Sequence, residues 1–402
     1  MFKNKDSRMS YEELMKKYKD YDDIFTPIFR LKVTKDEEIQ EIYQNFKKRL
    51  LDTEICTPVN VYFLVTNAFK YNNRFLRSYM KLLKIVYEEF QINPEPYISP
   101  VLYYFFYQDY GLPVGAVNQA LFKSYKEKNY TIDIHAENTI HRAIMDDDIK
   151  SLISFTETPG FEVDQLFKSD LYPYYRDGLT LLELCCYHGA VSCFKYLYQE
   201  LKAQITTTCL ELSFLGGNPD IMGECLKLKK SNQRCLTFAI ISHNIDFVTF
   251  LLNENIYLSV DLFELAFYHN IPAFFAYLDM TQNLNHCFIY SPLFFMPNLV
   301  EYLISLGADI NAKSSDGETA LHNSCNYVSK QMFDILISNH ADITVTNRNG
   351  DSVLHRAAWN NRIDIMKYRV SKGAFSTALY MRLLKEIYAD YKYIIKNMNI
   401  CI

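Results

Sequence analysis

The sequence predicts an all-α protein, a helical solenoid with short hairpin loops in its C-terminal repeats and a helical N-terminal domain. Glycine and proline are scarce, at 12 each in 402 residues, whereas the chain has 32 tyrosines and 28 phenylalanines. Few helix breakers and many long apolar side chains favour helices packed on helices. Short apolar runs also recur along residues 135–375 at a nearly constant spacing, which is typical of stacked repeats.

Residues 1–130 contain amphipathic helices but no repeat. The segment "KDEEIQEIYQNFKKRLL" places Ile39, Tyr43 and Leu50 on one helical face, and "NNRFLRSYMKLLKIVYEEF" at 72–90 is a further amphipathic helix. Two interpretations follow from this pattern. The region is either a small helical domain that abuts the array or a thick N-terminal cap of it.

Residues 135–297 carry shortened, irregular repeats. The turn between the two helices of a repeat is predicted at Gly189, Gly217, His243, His269 and Phe295, at intervals of 28, 26, 26 and 26 residues. Such a period has room for two short helices and a tight turn, but not for an additional hairpin. The helical pair at 138–155 is predicted to be one more unit, followed by a long loop at 156–178.

Residues 298–375 carry the strongest motif in the chain. Three residue types recur exactly one repeat later: Gly317 and Gly350, Leu321 and Leu354, and His322 and His355, each pair 33 positions apart. Thr319 and Ser352 precede the helices and carry hydroxyls that can accept from free N–H groups there. The period and the pattern G-x-[TS]-x-L-H-x-x-[AC] resemble the ankyrin repeat. That resemblance implies that the two histidines bridge neighbouring turns by hydrogen bonds.

The order of motifs resembles a particular family. The string "ENTIHRAIMDDDIKSLISF", then "ISHNIDFVTFLLNE", then regular repeats is similar to protist ankyrin-repeat proteins. These carry a degenerate ankyrin-like domain of unknown function, of the DUF3447 type, directly before regular ankyrin repeats. The resemblance covers roughly residues 135–375 and implies a protein-binding array without known catalysis. This chain departs from it by stopping after about two and a half regular repeats, which leaves a small binding surface.

The remaining segment, residues 376–402, is predicted to form a C-terminal capping helix. In "ALYMRLLKEIYADYKYIIKNM" apolar residues recur at every fourth position, which gives one apolar face. A repeat array needs a terminal cap with one apolar and one polar face. Binding of a partner helix is the alternative role.

Composition and motifs exclude several classes of function. The formal net charge of −5 offers nucleic acid no electrostatic grip. No phosphate-binding glycine loop and no protease or hydrolase motif is present, so we expect no enzyme, no cofactor and no metal site. Ten cysteines without a C-x-x-C spacing favour free thiols in a reducing compartment. With no secretory signal and no membrane span in the sequence, we expect a cytoplasmic protein.

These observations predict a non-catalytic scaffold that binds an unidentified partner protein on the concave face of its repeats. The alternative is an adaptor whose N-terminal helices carry an effector or catalytic activity. Trp359, the single tryptophan, is either an exposed binding residue or packed under the C-terminal helix. By register, the residues expected on the binding face are Lys313, Ser315, Glu318, Asn326, Tyr327, Thr346, Arg348, Asp351, Trp359 and Asn360.

Overall fold

The computed structural model describes residues 8–172, 175, 177–255, 257–326, 330–360, 362 and 365, with only the backbone at 116 and 117. It has an all-α helical repeat fold, as predicted. The chain divides into two compact units. The central unit comprises Lys17–Asn45 and Val61–Ala276, and the C-terminal unit comprises Met1–Lys16, Phe46–Asn60 and Tyr277–Ile402. The four-part domain division expected from the sequence stays a prediction.

The described residues 8–130 form six α-helices with an apolar, aromatic-rich buried face. Ile39 and Tyr43 of the second helix are almost fully buried, as its amphipathic pattern predicts. A short π-helical turn, Lys47–Leu51, and a 3-10 turn, Asn73–Phe75, connect some of the helices. The helices are α1 (Tyr11–Phe29), α2 (Asp36–Phe46), α3 (Pro58–Phe69), α4 (Leu76–Phe90), α5 (Pro100–Tyr110) and α6 (Ala116–Glu127).

Short helix pairs follow. Between the first two pairs, strands β1 (Leu166–Phe167) and β2 (Leu179–Thr180) form a small antiparallel ladder, with β1 in the predicted long loop and β2 directly after it. The helices are α7 (Ile140–Met145), α8 (Ile149–Thr156), α9 (Leu181–His188), α10 (Val191–Lys195, extended by a π-helical turn at Tyr196–Glu200), α11 (Thr207–Gly216), α12 (Pro219–Leu226), α13 (Gln233–Ile241), α14 (Ile245–Glu254), α15 (Leu262–Phe267) and α16 (Ile271–Thr281).

The turns within these pairs lie where the apolar periodicity predicts them. All five predicted turn residues adopt left-handed backbone, with φ of 69° at Gly189, 74° at Gly217, 51° at His243, 50° at His269 and 59° at Phe295. A residue in this conformation stops a helix and reverses the chain. The shortened repeats therefore close with one left-handed residue instead of a hairpin.

Polar side chains cap the starts of these helices. Thr180 accepts from the backbone N–H of Glu183, whose carboxylate accepts from the N–H of Thr180, a complete capping box. Asn218 and Asn244 cap α12 and α14 directly after left-handed turns. These caps satisfy N–H groups that would otherwise lack a partner, and so they stabilise the N-terminal ends of helices only 8 to 10 residues long.

Two glycines allow neighbouring pairs to approach closely in the central unit. A Cβ added at Gly216 would lie 2.1 Å from the carbonyl oxygen of Cys186, and one added at Gly189 would lie 2.6 Å from the carbonyl oxygen of Gly216. Both distances are far shorter than any van der Waals contact. Only glycine fits where these backbones meet.

Helix α1 packs along the turns of the same unit. The Phe25 ring stacks on His269 with centroids 4.3 Å apart, and the Phe29 ring stacks on His243 at 4.7 Å. His243 Nε2 donates to the carbonyl oxygen of Tyr268 at 2.8 Å, so one histidine links two successive pairs. The two successive turns at His243 and His269 are thus joined to each other and covered by α1.

The C-terminal unit contains the regular repeats. Its helices are α17 (Leu284–Tyr290, followed by a 3-10 turn at Ser291–Phe294), α18 (Pro297–Ser305), α19 (Ala320–Asn323), α20 (Lys330–Ser338) and α21 (Val353–Trp359). The predicted capping helix at 376–402 and most of the third copy, from 364, lie outside the described residues. In the described part of the chain, no helix is both long and apolar enough to cross a membrane.

Candidate functional site

Two hairpin tips with the same hydrogen bonds precede α19 and α21. In the first, the N–H of Ser314 donates to the carbonyl oxygen of Glu318 at 2.8 Å, and the N–H of Gly317 closes the turn on Ser314 at 3.0 Å. The second repeats the first bond 33 residues later, from Asn347 to Asp351 at 2.9 Å. The repeat in the sequence is therefore a repeat in backbone geometry.

The two tips stack directly on one another. The N–H of Arg348 donates to the carbonyl oxygen of Asp316 at 2.8 Å. Gly317 has a φ of +79°, and a Cβ at this position would lie 3.0 Å from the Arg348 nitrogen and 3.1 Å from the Asn347 Cα. Glycine is required here both for the left-handed backbone and for the close approach of the next tip.

The first of the two repeat histidines, His322, supports this stack, as the resemblance implied. The bridge implied for His355 stays a prediction, since His355 bonds only its own cap, Ser352, among the described residues. The Thr319 hydroxyl lies 2.9 Å from His322 Nδ1, and the His322 N–H returns to that hydroxyl at 3.4 Å. His322 Nε2 then donates to the carbonyl oxygen of Asp351 in the next hairpin at 3.3 Å. Burial lowers the pKa of His322, which keeps the ring neutral and able to accept at Nδ1. Its role is structural.

A polar network behind the tips joins the two hairpins. The buried Asn347 donates to Glu318 Oε1 at 2.8 Å, and its own Oδ1 accepts from the N–H of Asp351 at 2.8 Å. Arg356 of α21 donates to the same Glu318 oxygen. Because charged and neutral donors converge on one carboxylate, the network fixes the spacing of the tips.

The ten positions expected on the binding face fall into three groups. Five are exposed, namely Lys313, Ser315, Thr346, Arg348 and Trp359, whose side chain is 60% exposed. Tyr327 lies outside the described residues. The other four were expected to be exposed but are only partly so: Glu318, Asn326, Asp351 and Asn360.

These four residues are partly buried because they bond across the repeats. Glu318 and Asp351 belong to the network around Asn347. Asn360 Nδ2 donates to Asn326 Oδ1 at 2.9 Å, which holds the ends of the two inner helices together. The repeat register gives the side on which a residue lies, but not whether a neighbouring repeat binds it.

Sequence reasoning did not identify Arg356 and Asn347. Arg356 occupies the repeat position of Asn323, whose side chain donates to the carbonyl oxygen of Ile289 at 2.8 Å. Asn323 and Arg356 are both polar residues that directly follow a repeat histidine, and this shared position was the available signal. Asn347 begins the turn that ends in Gly350, a common place for a side chain that bonds its own turn.

The exposed part of the two hairpins carries two cations, Lys313 and Arg348, and one carboxylate, Asp316. Lys313 and Arg348 form no ion pair in the described part of the chain, and Lys313 Nζ reaches only the carbonyl oxygen of Thr346 at 3.4 Å. The charge of Arg356, in contrast, is compensated by Glu318. Among the residues that the structure describes, no cluster of three histidine, cysteine or acidic side chains is arranged to hold a metal ion.

Two family models match this chain. Residues 201–277 match the model of a domain of unknown function, DUF3447, and residues 293–378 match that of ankyrin repeats in three copies. No curated protein matches the chain. The crystal structure of the human ASB11 ankyrin repeat domain is similar at 17% identity and a TM-score of 0.28, covering 56% of this chain and 92% of that one.

The chain therefore contains a DUF3447 domain followed by ankyrin repeats. Ankyrin repeats define a class of protein–protein interaction module, and the C-terminal unit carries this module.

Proposed function

We propose that the protein is a non-catalytic scaffold that binds a partner protein on the concave face of its ankyrin repeats. The observation that carries this proposal is Trp359, a large aromatic side chain that is 60% exposed at the end of a capped helix. Tryptophan and arginine dominate the energetics of protein interfaces, and Arg348 is exposed at the neighbouring hairpin tip.

The surface is ordered before a partner arrives. Glu318, Asn347 and Arg356 hold the hairpins at fixed spacing, and the bond from Asn360 to Asn326 fixes the end of α21. A preformed surface avoids the cost of ordering loops during association, roughly 0.5–1.5 kcal/mol for each immobilised side chain. Rigid complementarity is therefore the proposed mechanism of recognition.

The charge of the surface defines what the partner must supply. Arg348 and Lys313 are unpaired in the described structure, so the partner is expected to place carboxylates against the hairpin tips. Trp359 requires an apolar depression on the partner, since its exposed ring gains most when it is fully desolvated.

Affinity capture from cell lysate with quantitative mass spectrometry tests the proposal. Trp359→Ala and Arg348→Glu are each expected to lose the partner that the wild-type chain captures, because each removes one anchor. Matched controls remove a still more exposed aromatic side chain, Tyr257→Ala at 89% exposure, or reverse an exposed charge, Lys230→Glu, both in the central unit. These controls are expected to retain the partner.

Two results would contradict the proposed site. Equal capture by Trp359→Ala and the wild type would exclude that side chain as an anchor. Loss of folding in Trp359→Ala, measured by circular dichroism, would show that the tryptophan stabilises the unit and is not reserved for a partner. An exposed substitution is expected to change the free energy of unfolding by less than about 0.5 kcal/mol.

A further inference from the structure

The central unit contains a cleft between its N-terminal helices and the turns of its short repeats. It has a volume of about 500 Å³, within the range typical of small-molecule sites. The end of α1 at 29–32, the α3–α4 junction at 68–75, and the turns at 187–189, 215–219 and 241–244 contribute its lining. All these segments belong to the same unit.

The cleft is strongly positive. Its lining includes Arg30, Lys32 and Arg74, and no aspartate or glutamate. None of the three cations forms an ion pair among the described residues, although the whole chain carries a net charge of −5. The carboxylates of Asp146 and Asp147 act on Arg74 electrostatically, but the first is bonded to Arg142 and the second accepts from backbone N–H groups at 192 and 193. The carboxylate of Asp22 acts on Arg30 in the same way, without an ion pair. Three cations without a direct ion pair in one concave site favour an anionic ligand.

Desolvation of Arg74 strengthens the preference of the cleft for an anion. The side chain reaches solvent, yet enough protein surrounds it that desolvation lowers the pKa of its guanidinium. An arginine in this situation gains more from an anion than one in open water, because the surrounding dielectric is lower. The ring of Phe75 lies 5.6 Å from the same guanidinium and holds it over an aromatic face.

A buried amide in the cleft lacks one hydrogen bond. Asn73 is fully buried and lines the cleft, and its Nδ2 donates to the carbonyl oxygen of Leu171 at 2.8 Å. Its Oδ1 has no hydrogen-bond partner in the described part of the chain. A buried acceptor without a partner is costly, about 1–3 kcal/mol, so the site favours a ligand that brings an N–H or O–H donor.

The ends of two helices and an aromatic wall complete the cleft. The N-cap residues of α12 and α14, Asn218 and Asn244, both line it, so the positive ends of two helix dipoles lie at its edge. Tyr71 and Tyr187 contribute aromatic rings to the lining. The cleft thus combines cations for an anionic group with flat apolar surface for an organic group.

We propose that this cleft binds a small organic phosphate. Its phosphate contacts Arg30, Lys32 and Arg74, and its organic part donates a hydrogen bond to Asn73 Oδ1 beside the aromatic residues. Phosphate fits better than a single carboxylate because three cations balance a dianion or a more highly charged group. The site lies in a different unit from the proposed protein-binding surface and does not depend on that proposal.

Isothermal titration calorimetry on the full chain, in EDTA to exclude metal bridging, tests this site. The probes are ATP, AMP, glucose 6-phosphate and inorganic phosphate. At least one organic phosphate is expected to bind saturably and at least 10-fold more tightly than inorganic phosphate. Arg74→Ala and Arg30→Ala are each expected to weaken that binding about 10-fold, as loss of a charged partner does. Lys230→Ala, an exposed control, is expected to leave it unchanged.

The alternatives give distinct results. Absence of saturable binding by all four probes at millimolar concentration would overturn the proposal. So would equal affinity of wild type and Arg74→Ala, with folding of the variant confirmed by circular dichroism. Tighter binding of a polyglutamate peptide than of any organic phosphate would identify an acidic-peptide groove in place of a phosphate site.

Discussion

The regular and the shortened repeats both use histidine to join one repeat to the next, but through different contacts. In the C-terminal unit, His322 caps its own helix and donates to Asp351 in the next hairpin. In the central unit, His243 occupies the left-handed turn itself and donates to Tyr268. The ring of His243 also stacks on Phe29 of α1. The longer repeat joins its neighbours through hairpins, and the shorter one through turns covered by another helix.

This difference explains where a binding surface remains. A 33-residue repeat has a hairpin before its inner helix, and Lys313 and Arg348 are exposed on the two hairpins. A 26-residue repeat has no such hairpin, and α1 covers the turns at His243 and His269. The regular repeats thus leave the side chains of their hairpin tips exposed, whereas these turns of the short repeats are occupied by contacts within their own unit.

The largest loss of stability is expected from a substitution where two short repeats approach each other most closely. In Gly216→Ala the new methyl group overlaps the carbonyl oxygen of Cys186, so α9 and α11 must separate. We expect a loss of more than about 4 kcal/mol in the free energy of unfolding, enough to prevent folding of the central unit. Circular dichroism and urea denaturation measure this loss.

Two neighbouring glycines serve as controls for that substitution. Gly223→Ala, inside α12 with open space around it, is expected to stabilise the unit by about 0.5–1 kcal/mol. Gly217→Ala also meets no atom but has a φ of +74°, so it is expected to cost about 1 kcal/mol. If Gly216→Ala were no worse than Gly217→Ala, the close approach would not limit the packing.

The next effect concerns pH and tests the two histidines in the turns of the short repeats. Burial lowers the pKa of His243 to about 4 and that of His269 to about 3, from an ordinary value of 6.5. The unfolded chain therefore binds protons below pH 6.5 that the folded chain does not, and stability is lost as the pH falls. At pH 5.5 the two turn histidines together are expected to cost about 3 kcal/mol.

Urea denaturation at pH 7.0 and 5.5 checks this expectation in wild type and His243→Asn/His269→Asn. Asparagine tolerates left-handed backbone, so the variant keeps the turns while losing the titrating groups. The variant is expected to lose less stability on acidification than the wild type. An identical loss in both proteins would show that other groups control the acid response.

The smallest expected effect concerns the hairpin network. Glu318→Ala leaves Asn347 and Arg356 without their shared acceptor and is expected to cost about 2 kcal/mol of stability in the C-terminal unit. Glu301→Ala, an exposed glutamate on α18, is the matched control and is expected to stay within about 0.5 kcal/mol of wild type. Urea denaturation compares the two, and equal values would show that the network adds no stability.

The sequence predicts local structure well where the same pattern recurs from one repeat to the next. The 33-residue spacing of Gly317 and Gly350 predicted the hairpin tips, and apolar periodicity placed the turns at His243 and His269. Contacts between elements far apart in sequence leave no such pattern. The stacking of Phe25 on His269, or the bond from Arg356 to Glu318, depends on how folded elements meet, and neither partner indicates the other in the sequence.

The most direct test of the central claim is hydrogen–deuterium exchange of the protein alone and bound to its captured partner. We expect the partner to slow exchange at the two hairpin tips, residues 313–318 and 346–351, and at the end of α21. Slower exchange in the central unit, with no change at these tips, would contradict it.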